Sequence, residues 1–135
     1  MEIGPPLGKQ ILIVDDSVEY LNFMQLLLGA EGFRAEIAAS VAAMEQQLAV
    51  VTPDLIISDV RMPGNCAFAV LDHLRSQEQT KDIPVLLCTG AVQEVNERAG
   101  RLEQDRVDVL FKPFDIEVLL GRITRLCERA RQPLN

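Results

Sequence analysis

The sequence has 135 residues, 48% of them hydrophobic, which is enough for one domain with a sizeable core. Its 20 acids against 13 bases leave a net charge of −7 with no basic run to offset it, which excludes a general nucleic-acid or membrane surface. No apolar stretch approaches the roughly 20 residues that span a bilayer, and the N-terminus lacks the charged start and apolar middle of a signal peptide, so a soluble, cytoplasmic protein is expected.

Residues 1–9, with Gly4-Pro5-Pro6, read as a lead-in, residues 10–131 as the folded domain and residues 132–135 as a tail. Gln10 to Val14 forms the first strand. Ser17 offers an N-cap to a helix on which Tyr20, Phe23, Met24, Leu27 and Leu28 recur at helical spacing, as a core stripe that Gly32 ends. Arg34 to Ala38 is a second strand. Ser40 caps a helix running to about Val51, and Thr52-Pro53 breaks it. Leu55-Ile56-Ile57-Ser58 carries no full charge and reads as a strand buried on both faces, ending at Asp59, with Met62-Pro63-Gly64 as a stiff turn beyond.

A helix bearing Val70, Leu71 and Leu74 then runs to about Gln77, and Ile83-Pro84 leads into the strand Val85-Leu86-Leu87-Cys88. His73 on that helix has no spaced partner and reads as a surface residue. Val92 to Gln104 is expected as one helix with Val95, Ala99 and Leu102 inward, weakened by Gly100 and so a candidate mobile element. Val109-Leu110-Phe111 makes the fifth strand. Asp115 caps a last helix with Ile116, Leu119, Leu120, Ile123, Leu126, Cys127 and Ala130 on one stripe and Arg122, Arg125 and Arg129 opposite. Cys66, Cys88 and Cys127 are odd in number and widely spaced, which points to reduced, mostly buried thiols. Cys88 lies inside an apolar strand, where a catalytic thiolate is disfavoured.

Five strands alternating with five helices predict an α/β sheet wound on both faces, in the order 2-1-3-4-5, because each parallel connection needs a right-handed crossover. All strand C-termini then lie on one edge, where ligands bind. The strands end in Asp15-Asp16, in Asp59, in Thr89-Gly90 and in Lys112-Pro113, so three acids, a hydroxyl and an ammonium are expected to converge. Clustered carboxylates repel unless a cation sits among them, and an all-oxygen site suits Mg²⁺, with Mn²⁺ as a surrogate. A carboxylate beside a divalent cation, a hydroxyl and an ammonium is the set needed for phosphoryl transfer to Asp59, with Thr89 and Lys112 on the phosphoryl oxygens. A cis Lys112-Pro113 bond would be one way to aim the ammonium into the crevice.

These motifs together resemble the response-regulator receiver domain of two-component signalling, from about Gln10 to Ala130. The resemblance implies a three-layer (βα)5 flavodoxin-like sandwich acting as a switch, not an enzyme with a separate substrate. It makes Asp59 the phosphoacceptor, with Asp16 and Asp59 as direct Mg²⁺ ligands, Asp15 acting mainly through water and the Arg61 backbone carbonyl completing the protein ligands. It further implies a histidine kinase or phosphotransfer protein as phosphodonor. Downstream it implies a protein partner or an output domain, or a phosphorylation-dependent homodimer. In the family, the positions of Arg61 and Ala91 flank the path of the hydrolytic water.

The sequence also departs from the family. Val109 stands where the family usually carries an aromatic switch ring, Ala67 replaces a frequent glycine, and Gln104-Asp105-Arg106 replaces a small Gly-Ala pair. These departures bear on how the signal leaves the site, through Phe111 or through the Thr89-Gly90 turn and the segment after it. Two alternatives stand beside the receiver. A haloacid-dehalogenase-like aspartyl phosphatase needs an acid where Arg61 stands and a cap domain. A pseudo-receiver usually loses an acid or the lysine, and this chain keeps them all.

Overall fold

Ile11, Leu12, Ile13 and Val14 are all almost inaccessible, as are Leu55, Ile56 and Ile57, so the central strands are covered on both faces as their unbroken apolar runs require. The computed structural model describes residues 8–131 except 60, 63, 64, 105 and 106, with the backbone alone at 61, 62, 65–69, 101, 103, 104 and 129–131. The chain runs β1 (Gln10–Val14), α1 (Val18–Ala30), β2 (Arg34–Ala38), α2 (Val41–Leu48), β3 (Leu55–Ser58), β4 (Arg61–Met62) and β5 (Asn65–Cys66). It continues with α3 (Ala67–Ser76), β6 (Val85–Thr89), α4 (Val92–Glu97), α5 (Ala99–Gln104), β7 (Val107–Phe111) and α6 (Ile116–Arg131). One parallel sheet has the order β2-β1-β3-β6-β7, which is 2-1-3-4-5 when its own strands are counted.

Alternation along each strand feeds two separate cores. Leu12, Val14, Ile56, Val85 and Leu87 pack with Met44 of α2, Leu71 and Leu74 of α3, and Val95 and Leu102 of α4 and α5. Ile11, Ile13, Ile57, Leu86 and Leu110 pack with Leu21, Met24 and Leu28 of α1 and Leu119 and Ile123 of α6. Each large aliphatic side chain sealed this way contributes on the order of 1.5–3 kcal/mol. The result is a three-layer sandwich.

Caps set the first two helices as their sequence signals indicate. Ser17 and Ser40 accept from the Tyr20 and Ala43 amides, and Gly32, at φ +94°, takes the left-handed turn after α1. Several finer expectations are corrected. Phe23 is 50% exposed, because the buried stripe of α1 is Leu21, Met24 and Leu28 and Phe23 lies on its far side. The second helix stops at Leu48 rather than Val51, and Val50 beyond it is exposed. The expected helix from Val92 to Gln104 is two short ones, broken at Arg98. Ala91 has no side chain to cap the first of them, and Gly100 weakens the second.

Ala99 is exposed rather than inward. Ile116 is also exposed, lying in the first turn of α6 ahead of the buried stripe. The two-residue ladder β4–β5, pairing Arg61 with Cys66 and Met62 with Asn65, is not foreseen from sequence, being too short to show a period. The expected turn at Pro63-Gly64, the lead-in through residue 7, Asp105-Arg106 and the tail lie outside the described residues, as do the side chains of Ala67, Arg129 and Ala130.

Candidate functional site

The strand ends gather Asp15, Asp59, Thr89 and Lys112, with Lys112 touching both acids and Thr89 touching Asp59. Asp15 leaves β1 with its amide on the Ala38 carbonyl, and Asp59 leaves β3 beside it with its amide toward Val14, which places both carboxylates at the point where the strand order reverses. Lys112 follows β7, and its amide donates to the Thr89 carbonyl at 2.8 Å, so β6 and β7 end in register. Its Nζ lies 3.1 Å from Asp59 Oδ2 and 3.3 Å from Asp15 Oδ2. The Thr89 hydroxyl donates to Asp59 Oδ1 at 2.7 Å and accepts the Ala91 amide at 3.1 Å. The Lys112-Pro113 bond is cis.

Burial differs across the cluster in a way that assigns roles. Asp15 is 3% exposed and Thr89 is sealed, whereas the Asp59 side chain keeps 18% of its surface and so is the carboxylate a reagent can reach. Asp16, expected to converge with the other two acids, is exposed. Among the described residues two acids contact Lys112, and no three His, Cys, Asp or Glu side chains form a ready-made cage. Burial lowers the proton affinity of Lys112, but the hydrogen bonds and charges of Asp59 and Asp15 outweigh it and hold the ammonium above its ordinary value. Lys112 is therefore a fixed cation.

Gly90 is exposed, and a Cβ there would meet nothing within 4 Å. Ala91 is buried in the core under α4, so its backbone N–H rather than its methyl bears on the site. Val109 packs against that same core, while Phe111, the register partner of Thr89, is 37% exposed. Arg61 begins β4, and its side chain lies outside the described residues, as does that of Cys66. Cys88 and Cys127 are buried thiols outside any disulfide among the described residues, and burial first of all pushes Cys88 up to about 12. That state is unsuited to nucleophilic work. His73 is exposed with Glu45 at 3.5 Å, away from the strand ends.

Sequence reasoning placed Tyr20 in the core and missed its relation to the site. Its ring centroid lies 4.3 Å from Lys112 Nζ, and its hydroxyl is buried with no hydrogen-bond partner among the described residues. Burial, then the neighbouring Cys88, Asp15 and Asp59, hold the phenol above its ordinary value, so the ring stays neutral. Its position on the apolar stripe of α1 carried no signal that would separate it from Met24 or Leu28.

The response regulator receiver domain family matches residues 11–124, and the chain belongs to that family. Receiver domains are signalling domains of two-component systems. The chain is 35% identical over 121 residues to the DNA-binding dual master transcriptional regulator RpaA of Synechocystis sp., covering 89% of this chain and 49% of that protein. It is also 35% identical over 116 residues to the hybrid signal transduction histidine kinase D of Dictyostelium discoideum, covering 86% of this chain and 7% of that one. Among solved structures, the chemotaxis response regulator CheY4 of Vibrio cholerae superposes with a TM-score of 0.78 at 29% identity, covering 88% of this chain and 98% of that one. The chain thus spans about half the length of the transcriptional regulator it matches. No helix among the described residues is long and apolar enough to cross a membrane.

Proposed function

We propose that residues 10–131 form a phosphorylatable switch in which Asp59 accepts a phosphoryl group from a histidine kinase or histidine phosphotransfer protein in the cytoplasm. The observation that carries this reading is the setting of Asp59: one carboxylate oxygen on the Lys112 ammonium, the other on the Thr89 hydroxyl, and part of its surface open. An Asp59 oxygen attacks phosphorus, the bond from phosphorus to the donor breaks, and the donor leaves with the electron pair. Lys112 stays protonated and meets the arriving phosphoryl oxygens. Thr89 gives up Asp59 Oδ1 and donates to one of those oxygens.

The donor set also fits Mg²⁺, which receiver domains generally use. Asp59 and Asp15 present hard carboxylate oxygens side by side, with the Thr89 hydroxyl and the Lys112 ammonium against them, and a small hard cation with few protein ligands keeps water in its remaining places. Asp15, Asp16, Asp59 and the Arg61 carbonyl would hold it. When bound, it would neutralise charge on the phosphoryl oxygens. Arg61, two residues beyond the acceptor, would shield the acyl phosphate from water; an Arg61→Ala variant that loses its phosphoryl group no faster than wild type removes that role.

The signal leaves through Thr89, because its hydroxyl also holds the Ala91 amide at the head of α4. The output is a change in the α4–α5 face that a downstream protein, an attached output domain or a second copy of the chain reads. Fluorine NMR with beryllofluoride tests the acceptor. A bound resonance that needs both Mg²⁺ and Asp59 is expected, and a resonance that persists in Asp59→Asn contradicts the assignment.

A further inference from the structure

We propose that Tyr20 is a positioning residue of this site, holding the Lys112 ammonium against the face of its ring. The inference rests on Asp59 being the phosphoacceptor and supplies the lysine with a third partner. Lys112 Nζ lies 3.1 Å from Asp59, 3.3 Å from Asp15 and 4.3 Å from the centre of the Tyr20 ring. That last distance is within the range over which the ring quadrupole attracts a cation. The three partners differ in what phosphorylation does to them. Asp59 exchanges its carboxylate for an acyl phosphate, and Asp15 must share its charge with whatever cation enters. The ring of Tyr20 keeps the same field throughout, so it holds Nζ in place while the anions around it change.

The chain places Tyr20 there through the site itself. Asp15 Oδ1 accepts the Ser17 amide at 2.9 Å, and Ser17 Oγ accepts the Tyr20 amide at 3.2 Å, so a site carboxylate fixes the start of α1 and the cap fixes the residue three positions on. The hydroxyl is not what this position uses. It is buried with no hydrogen-bond partner among the described residues, a destabilising state for a polar group, whereas the ring is in contact with both the α1–α6 core and the ammonium. Phenylalanine should therefore serve as well as tyrosine, and an aliphatic side chain should not.

The test uses the full chain as wild type, Tyr20→Phe, Tyr20→Leu and Tyr20→Met, with thermal unfolding to show that each is folded. Proton NMR of the Lys112 ε-methylene should show a ring-current upfield shift in wild type and Tyr20→Phe that the aliphatic variants lose. With Mg²⁺ and acetyl phosphate, Tyr20→Phe should phosphorylate at close to the wild-type rate, and the aliphatic variants about two- to thirty-fold more slowly, the span set by losing such a contact. A Lys112 methylene without an upfield shift in the wild type, or equal rates in all four proteins, overturns the role of Tyr20 while leaving Asp59 as acceptor. A wild type that takes up no phosphoryl group overturns the acceptor reading on which the proposal stands.

Discussion

Thr89 carries two hydrogen bonds on one oxygen, donating to Asp59 and accepting from the Ala91 amide, and Ala91 is buried away from water. Thr89→Ala should therefore destabilise the unphosphorylated protein by about 1–3 kcal/mol, the range for orphaning buried polar groups, and Thr89→Ser should restore most of it. Urea unfolding checks both. Cys88 sets a different dependence. The folded thiol holds its proton up to about 12 against an ordinary value of 9.0, so over that interval the unfolded chain ionises and the native one does not. Stability should be complete below pH 9 from this source and fall as pH climbs toward 12, and Cys88→Ala should flatten the fall in a pH series of melting curves. At this scale the acids, the threonine and the lysine were legible because each ends an apolar run. Tyr20 was not, because helical spacing marks which side of a helix is buried and not which buried side chain meets a distant lysine.

The elements whose period and caps agree were readable from sequence: the strands, α1 and α6. What failed was local phase and length. Phe23 and Ile116 were assigned inward because apolar character at roughly helical spacing leaves the edge of a stripe undefined, and the core's shape decides which side chains fit. The split between α4 and α5 at Arg98 was missed for a related reason: Val95 and Leu102 keep a helical period across the break. Two helices of six residues each, the first without a side-chain cap, are weakly held and suit a segment that must move. Amide hydrogen exchange with and without beryllofluoride should show changed protection from Val92 to Gln104. The change should vanish in Thr89→Ala and persist in Val109→Ala, since Val109 is a partly buried packing residue rather than a switch ring. Changes confined to the residues after Asp59 would place the output surface elsewhere.

For the whole molecule, topology does what no single motif can. The order β2-β1-β3-β6-β7 puts the ends of β1 and β3 side by side and brings β7 in register beside β6, so residues from four parts of the chain meet at one edge. Gathering anions there in a chain of net charge −7 leaves Lys112 to balance two carboxylates, and Mg²⁺ should relieve the remainder. The melting temperature should therefore rise with millimolar Mg²⁺ as for a ligand of the folded state alone, and Asp16→Asn should weaken the rise; a wild type indifferent to Mg²⁺ would contradict the metal site.

The central claim is that this edge exists to place a phosphoryl group on Asp59, and intact-protein mass spectrometry reads that directly. After incubation with Mg²⁺ and a small acyl phosphate, the wild type should gain the mass of one phosphoryl group, lost on mild alkaline treatment, and Asp59→Asn should gain none. A wild type that stays at its own mass, or an Asp59→Asn variant that gains the same alkali-labile group, would contradict the account.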